Sequence, residues 1–154
     1  MKKYLTSSLV ACCGALGMLA FSGSAGAQIG PFDQTSYMTF SQKVQLPGVT
    51  LPAGTYIFRL PDRNGARHVI QILSRDRSVV YAMLPTRPTY RAQAENDPSV
   101  LFHKSPSGTP QPIRAWFYAG EKFGLEFAYP KQQAEQIARQ SGGPVLTTQL
   151  EYVQ

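Results

Sequence analysis

The run from Thr50 to Leu73, T-L-P-A-G-T-Y-I-F-R-L-P-D-R-N-G-A-R-H-V-I-Q-I-L, constrains this chain more than any other. Two segments rich in aromatic and β-branched residues, Thr55 to Leu60 and His68 to Leu73, flank the turn formers Asp62, Asn64 and Gly65. That is the pattern of a β-hairpin. A two-residue turn at Asn64-Gly65 would set Leu60 opposite Val69, Phe58 opposite Gln71 and Tyr56 opposite Leu73. One face would then carry Tyr56, Phe58, Leu60, Val69 and Leu73. The same register puts Pro61 in a hydrogen-bonded pair with His68, where its missing N–H leaves a ladder bond unmade. A longer turn spanning Pro61 to Ala66 avoids the conflict and is the one expected.

Ahead of this hairpin, Lys2 and Lys3, an uncharged apolar run from Leu9 to Phe21, and small residues ending in Ala25-Gly26-Ala27 follow the order of a secretory signal peptide. The expected organisation is a signal over 1–27, cleaved between Ala27 and Gln28, and one exported domain over 28–154 in the periplasm or outside the cell. The apolar run is too short to serve as a membrane span, and no transmembrane helix is expected in the mature chain. Both cysteines, Cys12 and Cys13, lie inside the signal. An exported domain without them has no disulfide, thiol nucleophile or thiolate metal site, so its fold must rest on its core.

Along the domain, Met38, Phe40, Val44 and Leu46 alternate with polar residues and predict a half-buried first strand, which Pro47-Gly48 turns. Ser78 to Leu84 is apolar on both faces and predicts a strand covered on both sides. Pro85 to Ser99 has no strand period and holds three prolines; a loop of that length is either functional or a crossover between sheets. Val100 to Lys104, Ile113 to Tyr118 and Leu125 to Tyr129 are short strands whose tight connections favour antiparallel pairing. The period changes after Pro130. Ala134, Ile137 and Ala138 share one face of a helix over about 131–140, stopped by Gly142-Gly143, with the Ser78 to Leu84 strand as one seat for it. Pro144 to Val153 reads as a strand-like tail. The fold class that follows is all-β: an antiparallel sandwich or partly closed barrel of about seven to eight strands with one short C-terminal helix.

Removal of Lys2 and Lys3 from 15 basic residues leaves 13 against 9 acidic, a net charge of +4. The excess is local, since Asp62 to Arg91 holds six arginines and two aspartates. Arginine-rich loops suit an anionic envelope component or glycan, although the same residues also read as solvated turn positions paired with Asp62 and Asp76. No nucleic-acid-binding motif is present. The candidate binding residues are Arg87, Tyr90 and Arg91 in the Pro85 to Ser99 segment, and Arg114, Trp116 and Tyr118, which share one strand face. The latter trio would form a platform for sugar rings, or would pack Trp116 and Tyr118 inward with Arg114 at the rim. His68 and His103 are the only histidines. Without an H-x-H or H-E-x-x-H pattern, a G-x-S-x-G elbow or a phosphate-cradling glycine loop, no metal, cofactor or catalytic residue is assigned. The expected function is a non-catalytic exported module; a lipocalin-like carrier of a small apolar ligand and a hydrolase are the alternatives.

The phrases L-P-G-V-T-L-P-A-G-T-Y-I-F-R-L (Leu46 to Leu60), A-W-F-Y-A-G (Ala115 to Gly120) and G-L-E-F-A-Y-P-K-Q-Q-A (Gly124 to Ala134) resemble a family of small exported bacterial β-domain proteins. The resemblance implies export and a β-domain over most of the mature chain. It brings no activity and no functional residue with it.

Overall fold

A computed structural model describes residues 35–61 and 68–148. The expected signal peptide, the hairpin turn containing Asn64 and Gly65, and the end of the C-terminal tail lie outside the described residues. Among the described residues there are nine strands, β1 (Thr35–Phe40), β2 (Val44–Leu46), β3 (Val49–Leu51), β4 (Gly54–Arg59), β5 (Val69–Ser74), β6 (Val80–Tyr90), β7 (Ser99–Phe102), β8 (Gln111–Phe117) and β9 (Phe123–Phe127), and one helix, α1 (Lys131–Ser141). Pairing runs β1-β4-β5-β6-β9-β8-β2-β3 with β7 on β8, an open path that does not close. All of these pairs are antiparallel except β2 with β8.

The sheet folds over on itself through β6. Residues Val80 to Pro85 pair with β5, and Thr86 to Tyr90 pair with β9. One strand therefore belongs to both layers of an all-β sandwich. Between the layers Phe58 meets Trp116 and Phe127 edge-on, with ring centroids 5.9 and 6.4 Å apart. Phe58, Trp116, Phe127 and Tyr129 are fully buried, so the space between the layers is filled with rings.

Local chemistry accounts for several elements. In the L-P-A-G-T-Y phrase, the Tyr56 hydroxyl donates to the Pro52 carbonyl at 2.9 Å, which ties the start of β4 to the turn before it. Gly48, at φ 72°, makes the β2–β3 turn, where a side chain would be strained. The same turn seats the helix: Gln133 Oε1 accepts from Gly48 N, and its Nε2 donates to the Leu46 carbonyl, both at 3.0 Å. Helix α1 buries Ala134 and Ile137, and it ends at Gly142, whose left-handed backbone lets its N–H bond the Ala138 carbonyl. The buried Tyr129 hydroxyl contacts the Ile113 and Gln45 carbonyls at 2.7 and 3.0 Å, joining β8, β2 and the approach to the helix. Its backbone bridges to Thr147, so the tail is anchored by an isolated bridge instead of a strand over the residues described.

The hairpin pairs Phe58 with Ile72 and Ile57 with Leu73, one residue away from the register that a two-residue Asn64-Gly65 turn would set. Ile70 and Ile72 therefore share the face of Tyr56 and Phe58, while Ile57 and Leu73 are buried on the other face. Three expectations need correction. The single first strand is two, β1 and β2, separated at Ser41-Gln42-Lys43 and paired with different partners. The strand expected to be covered on both sides leaves Val80 and Met83 half exposed or more. The helix does not lie there because the short Ala128-Tyr129-Pro130 link and the Gln133 bonds hold it at the β2–β3 turn. Finally, Pro85 to Tyr90 is strand, not loop; only residues 91–98 are irregular. Thr86 makes the strand feasible, since its N–H and hydroxyl both donate to the His68 carbonyl where β6 passes from one partner to the other.

Candidate functional site

The four described arginines between Asp62 and Arg91 do not form one patch. Arg63 and Arg67 lie outside the described residues. Arg75 and Arg77 stand exposed on the β5–β6 turn. Arg87 lies on the other layer, in the half of β6 that pairs with β9.

Arg91 is mostly enclosed. Its Nε donates to the Glu121 carbonyl at 2.9 Å, one terminal nitrogen to Ser99 Oγ at 2.8 Å and the other to the Tyr118 carbonyl at 3.2 Å. The guanidinium lies 4.8 Å from the centre of the Phe117 ring and pairs with Glu95 at 2.9 Å, and only 11% of the side chain is exposed. The planar fork of donors is consumed in fastening the 91–98 segment to β7 and the β8–β9 turn. Tyr90, by contrast, is 73% exposed, with its ring edge against Phe123.

Arg114, Trp116 and Tyr118 do not share a face. Between Leu101 and Phe102 of β7, the register on β8 jumps from Ala115 to Ile113, and Arg114 is the extra residue of this bulge. Trp116 and Tyr118 turn inward, 4.4 Å apart between centroids and buried, while Arg114 turns out to Glu126 at 3.1 Å with about half its side chain exposed. An exposed aromatic platform is therefore not what this strand presents.

The bulge creates something the sequence did not disclose. Arg87 lies directly opposite Glu126 in the β6–β9 register, so both side chains leave the same face of the sheet. Arg114 reaches the same Glu126 from β8. Arg87 and Arg114 thus stand on either side of Glu126 in the sheet; of the two, Arg114 makes the contact with the carboxylate, while Arg87 is exposed and makes no side-chain bond to a described residue. The result is an outward-facing cationic stripe across β6, β9 and β8.

His103 lies near this stripe but is buried, 9% exposed, against the Tyr129 ring. Burial holds its pKa below the ordinary histidine value and the Arg114 charge adds to that; Glu126 opposes them. With a folded-state value under the unfolded value of about 6.5, the unfolded chain binds more protons as pH falls, so stability present at neutral pH is lost below about 6.5. Denaturant midpoints at pH 7.5 and pH 5 are expected to differ less in a His103→Phe variant than in the parent; equal pH dependence in the two would contradict this account. Among the described residues no group of three or more histidine, cysteine and carboxylate side chains could hold a metal ion.

A second feature was also missed. At one end of the sandwich, Gly54, Thr55, Tyr56, Ser74, Arg75, Asp76 and Tyr81 line an open cleft of about 510 Å³. Tyr81 is placed there by an irregularity in the β5–β6 register, which sets Leu73 opposite Val80 and Ile72 opposite Ala82. Its ring meets Tyr56 edge-on at 5.4 Å. In the turn S-R-D-R-S, the hydroxyls of Ser74 and Ser78 and then the Ser78 N–H donate to Asp76, holding its pKa down at about 2. The expected pairing of Asp76 with an arginine is not what the turn uses. No periodicity signals these features, because both arise where a strand register slips.

No protein family, curated protein or solved structure matches the chain. The likeness to small exported β-domain proteins therefore rests on its three phrases. No described helix is long and apolar enough to cross a membrane.

Proposed function

We propose that the chain is a non-catalytic, exported binding module that holds an anionic envelope component or acidic glycan against the outer face of β6, β9 and β8. One observation carries this: Arg87 and Arg114 stand on either side of a single carboxylate in the sheet, so the stripe holds two positive charges against one negative, with Arg87 open to solvent. Guanidinium groups suit phosphate, sulfate or carboxylate groups, which they bind through two parallel N–H bonds. The ring-filled interior weighs against a carrier, which needs an open apolar cavity. His103, enclosed and facing Tyr129, is poorly placed to serve as the base of a hydrolase.

The test is retention on an immobilised acidic polysaccharide and on anionic lipid vesicles over a range of ionic strength. Arg87→Gln with Arg114→Gln is expected to weaken binding about 10-fold to 100-fold and to flatten its salt dependence, with thermal stability little changed because both side chains are exposed. Unchanged retention and salt dependence in the double variant would remove the stripe as the binding face.

A further inference from the structure

The cleft at the β4–β5–β6 end has a composition that the cationic stripe lacks. Its floor and wall are aromatic: Tyr56 is buried beneath, and Tyr81, 41% exposed, stands at the side. One cation and one anion on adjacent residues, Arg75 and Asp76, belong to its rim and balance each other. Asp76 is a preset acceptor. Its Oδ1 takes bonds from Ser74 and Ser78, whereas Oδ2 takes one, from Ser78 Oγ at 2.8 Å, and retains capacity for a hydroxyl donor. Gly54 leaves the opposite side low; a Cβ there would lie 3.4 Å from the Tyr56 hydroxyl.

Each property excludes a ligand class. Charge balance at the rim disfavours both a compact anion and a bare cation, since either would meet a like charge one residue away. An aromatic wall disfavours a wholly polar ligand, and the carboxylate and guanidinium disfavour a hydrocarbon. A pyranose ring answers all three, with C–H groups on one face for the Tyr81 ring and hydroxyls at the edge for Asp76 and Arg75. The size agrees, because small-molecule sites occupy roughly 300 to 1,000 Å³.

We infer that the cleft formed by Tyr56, Tyr81, Arg75 and Asp76 binds a neutral saccharide unit, stacked on Tyr81 and hydrogen-bonded to the Asp76 carboxylate. This site is separate from the Arg87–Arg114 stripe and does not depend on it. A single ring held in an open cleft binds weakly, with Kd on the order of 1 mM.

Backbone amide NMR titration of the purified protein tests this with neutral methyl glycosides of glucose, galactose, mannose and N-acetylglucosamine as probes. Inorganic phosphate and tetramethylammonium serve as anionic and cationic comparisons. The expected result is saturable shifts of the Thr55, Arg75 and Tyr81 amides with at least one glycoside. Affinity should fall about tenfold or more in Tyr81→Ala and stay within about threefold in Tyr81→Phe, which keeps the ring. It should be unchanged in the Arg87→Gln, Arg114→Gln variant, so that failure of the stripe and failure of the cleft are told apart. The amide spectrum of each variant reports its folding directly. The inference is overturned if no glycoside gives saturable shifts up to about 50 mM, some 50 times the expected Kd. It is also overturned if tetramethylammonium or phosphate alone occupies the cleft, or if folded Tyr81→Ala binds as the parent does.

Discussion

Replacing Arg91 with alanine is expected to lower the unfolding free energy by about 3 kcal/mol and the melting temperature by roughly 10 °C. The magnitude follows from where the bonds go. The ion pair with Glu95 contributes little, because Glu95 is 60% exposed and such pairs are worth up to about 1 kcal/mol. The bonds to the Glu121 and Tyr118 carbonyls and to Ser99 Oγ are made by a side chain that is nearly enclosed, and hydrogen bonds from a charged donor contribute about 1.5–3 kcal/mol. Alanine leaves those acceptors without the donors that pair them and uncovers the Phe117 ring. Glu95→Ala should therefore cost only a few tenths of a kcal/mol, and Arg91→Lys should recover less than half of the loss. Lysine keeps the charge but cannot aim three bonds in one plane. Denaturant unfolding of the three variants decides the matter. A loss below about 0.5 kcal/mol for Arg91→Ala would mean that the 91–98 segment is held by other contacts. A large loss would bar charge reversal at Arg91 as a probe of binding, since it would unfold what it was meant to question.

The layered β fold was legible because alternation survives in sequence wherever both partners of a strand pair are regular. Ile113 to Tyr118 and Leu125 to Tyr129 were recognisable as paired strands for that reason, and the helix because Ala134 and Ile137 keep helical spacing before Gly142. What could not be read were the places where alternation slips. The hairpin differs from a tight-turn register by one residue, and that one residue puts Ile70 and Ile72 instead of Val69 and Leu73 on the face of Tyr56 and Phe58. The bulge at Arg114 separates it from Trp116, although strict alternation would keep them together. Prolines misled in the other direction. Pro85 and Pro88 suggested a loop, yet β6 tolerates them because it changes partners at Pro85–Thr86. The candidate sites, a cationic stripe and an aromatic cleft, both stand at such irregularities. Arg91 is the opposite case. Its residue type suggested a binding group, and only its surroundings disclose a fastening.

Gly124→Ala is expected to destabilise the fold by about 1–2 kcal/mol, against the usual trend for alanine replacing glycine in a strand. The strand expected from sequence starts at Leu125; the structure places Gly124 within β9, opposite Phe117 of β8 and Thr89 of β6. A Cβ there would lie 2.5 Å from Phe117 Cδ1 and 2.6 Å from the Trp116 carbonyl oxygen. Neither neighbour can retreat. Phe117 is buried beneath the Arg91 guanidinium, and the Trp116 carbonyl is part of the central strand of the second layer. Removing glycine's excess freedom in the unfolded chain returns about 0.5–1 kcal/mol, whereas forcing a methyl into a packed site costs about 1–3 kcal/mol and more when backbone must move. Shrinking the ring should relieve only half of the conflict, so Gly124→Ala combined with Phe117→Leu should lose less than the sum of the two single losses while remaining below the parent. Strict additivity in that double variant would show that the two positions do not press on each other. The same close approach sets where Glu126 emerges two residues later, so a shifted β9 would also part the carboxylate from Arg87 and Arg114. Loss of anion binding in folded Gly124→Ala protein, with both arginines intact, would tie the spacing of these strands to the cationic stripe.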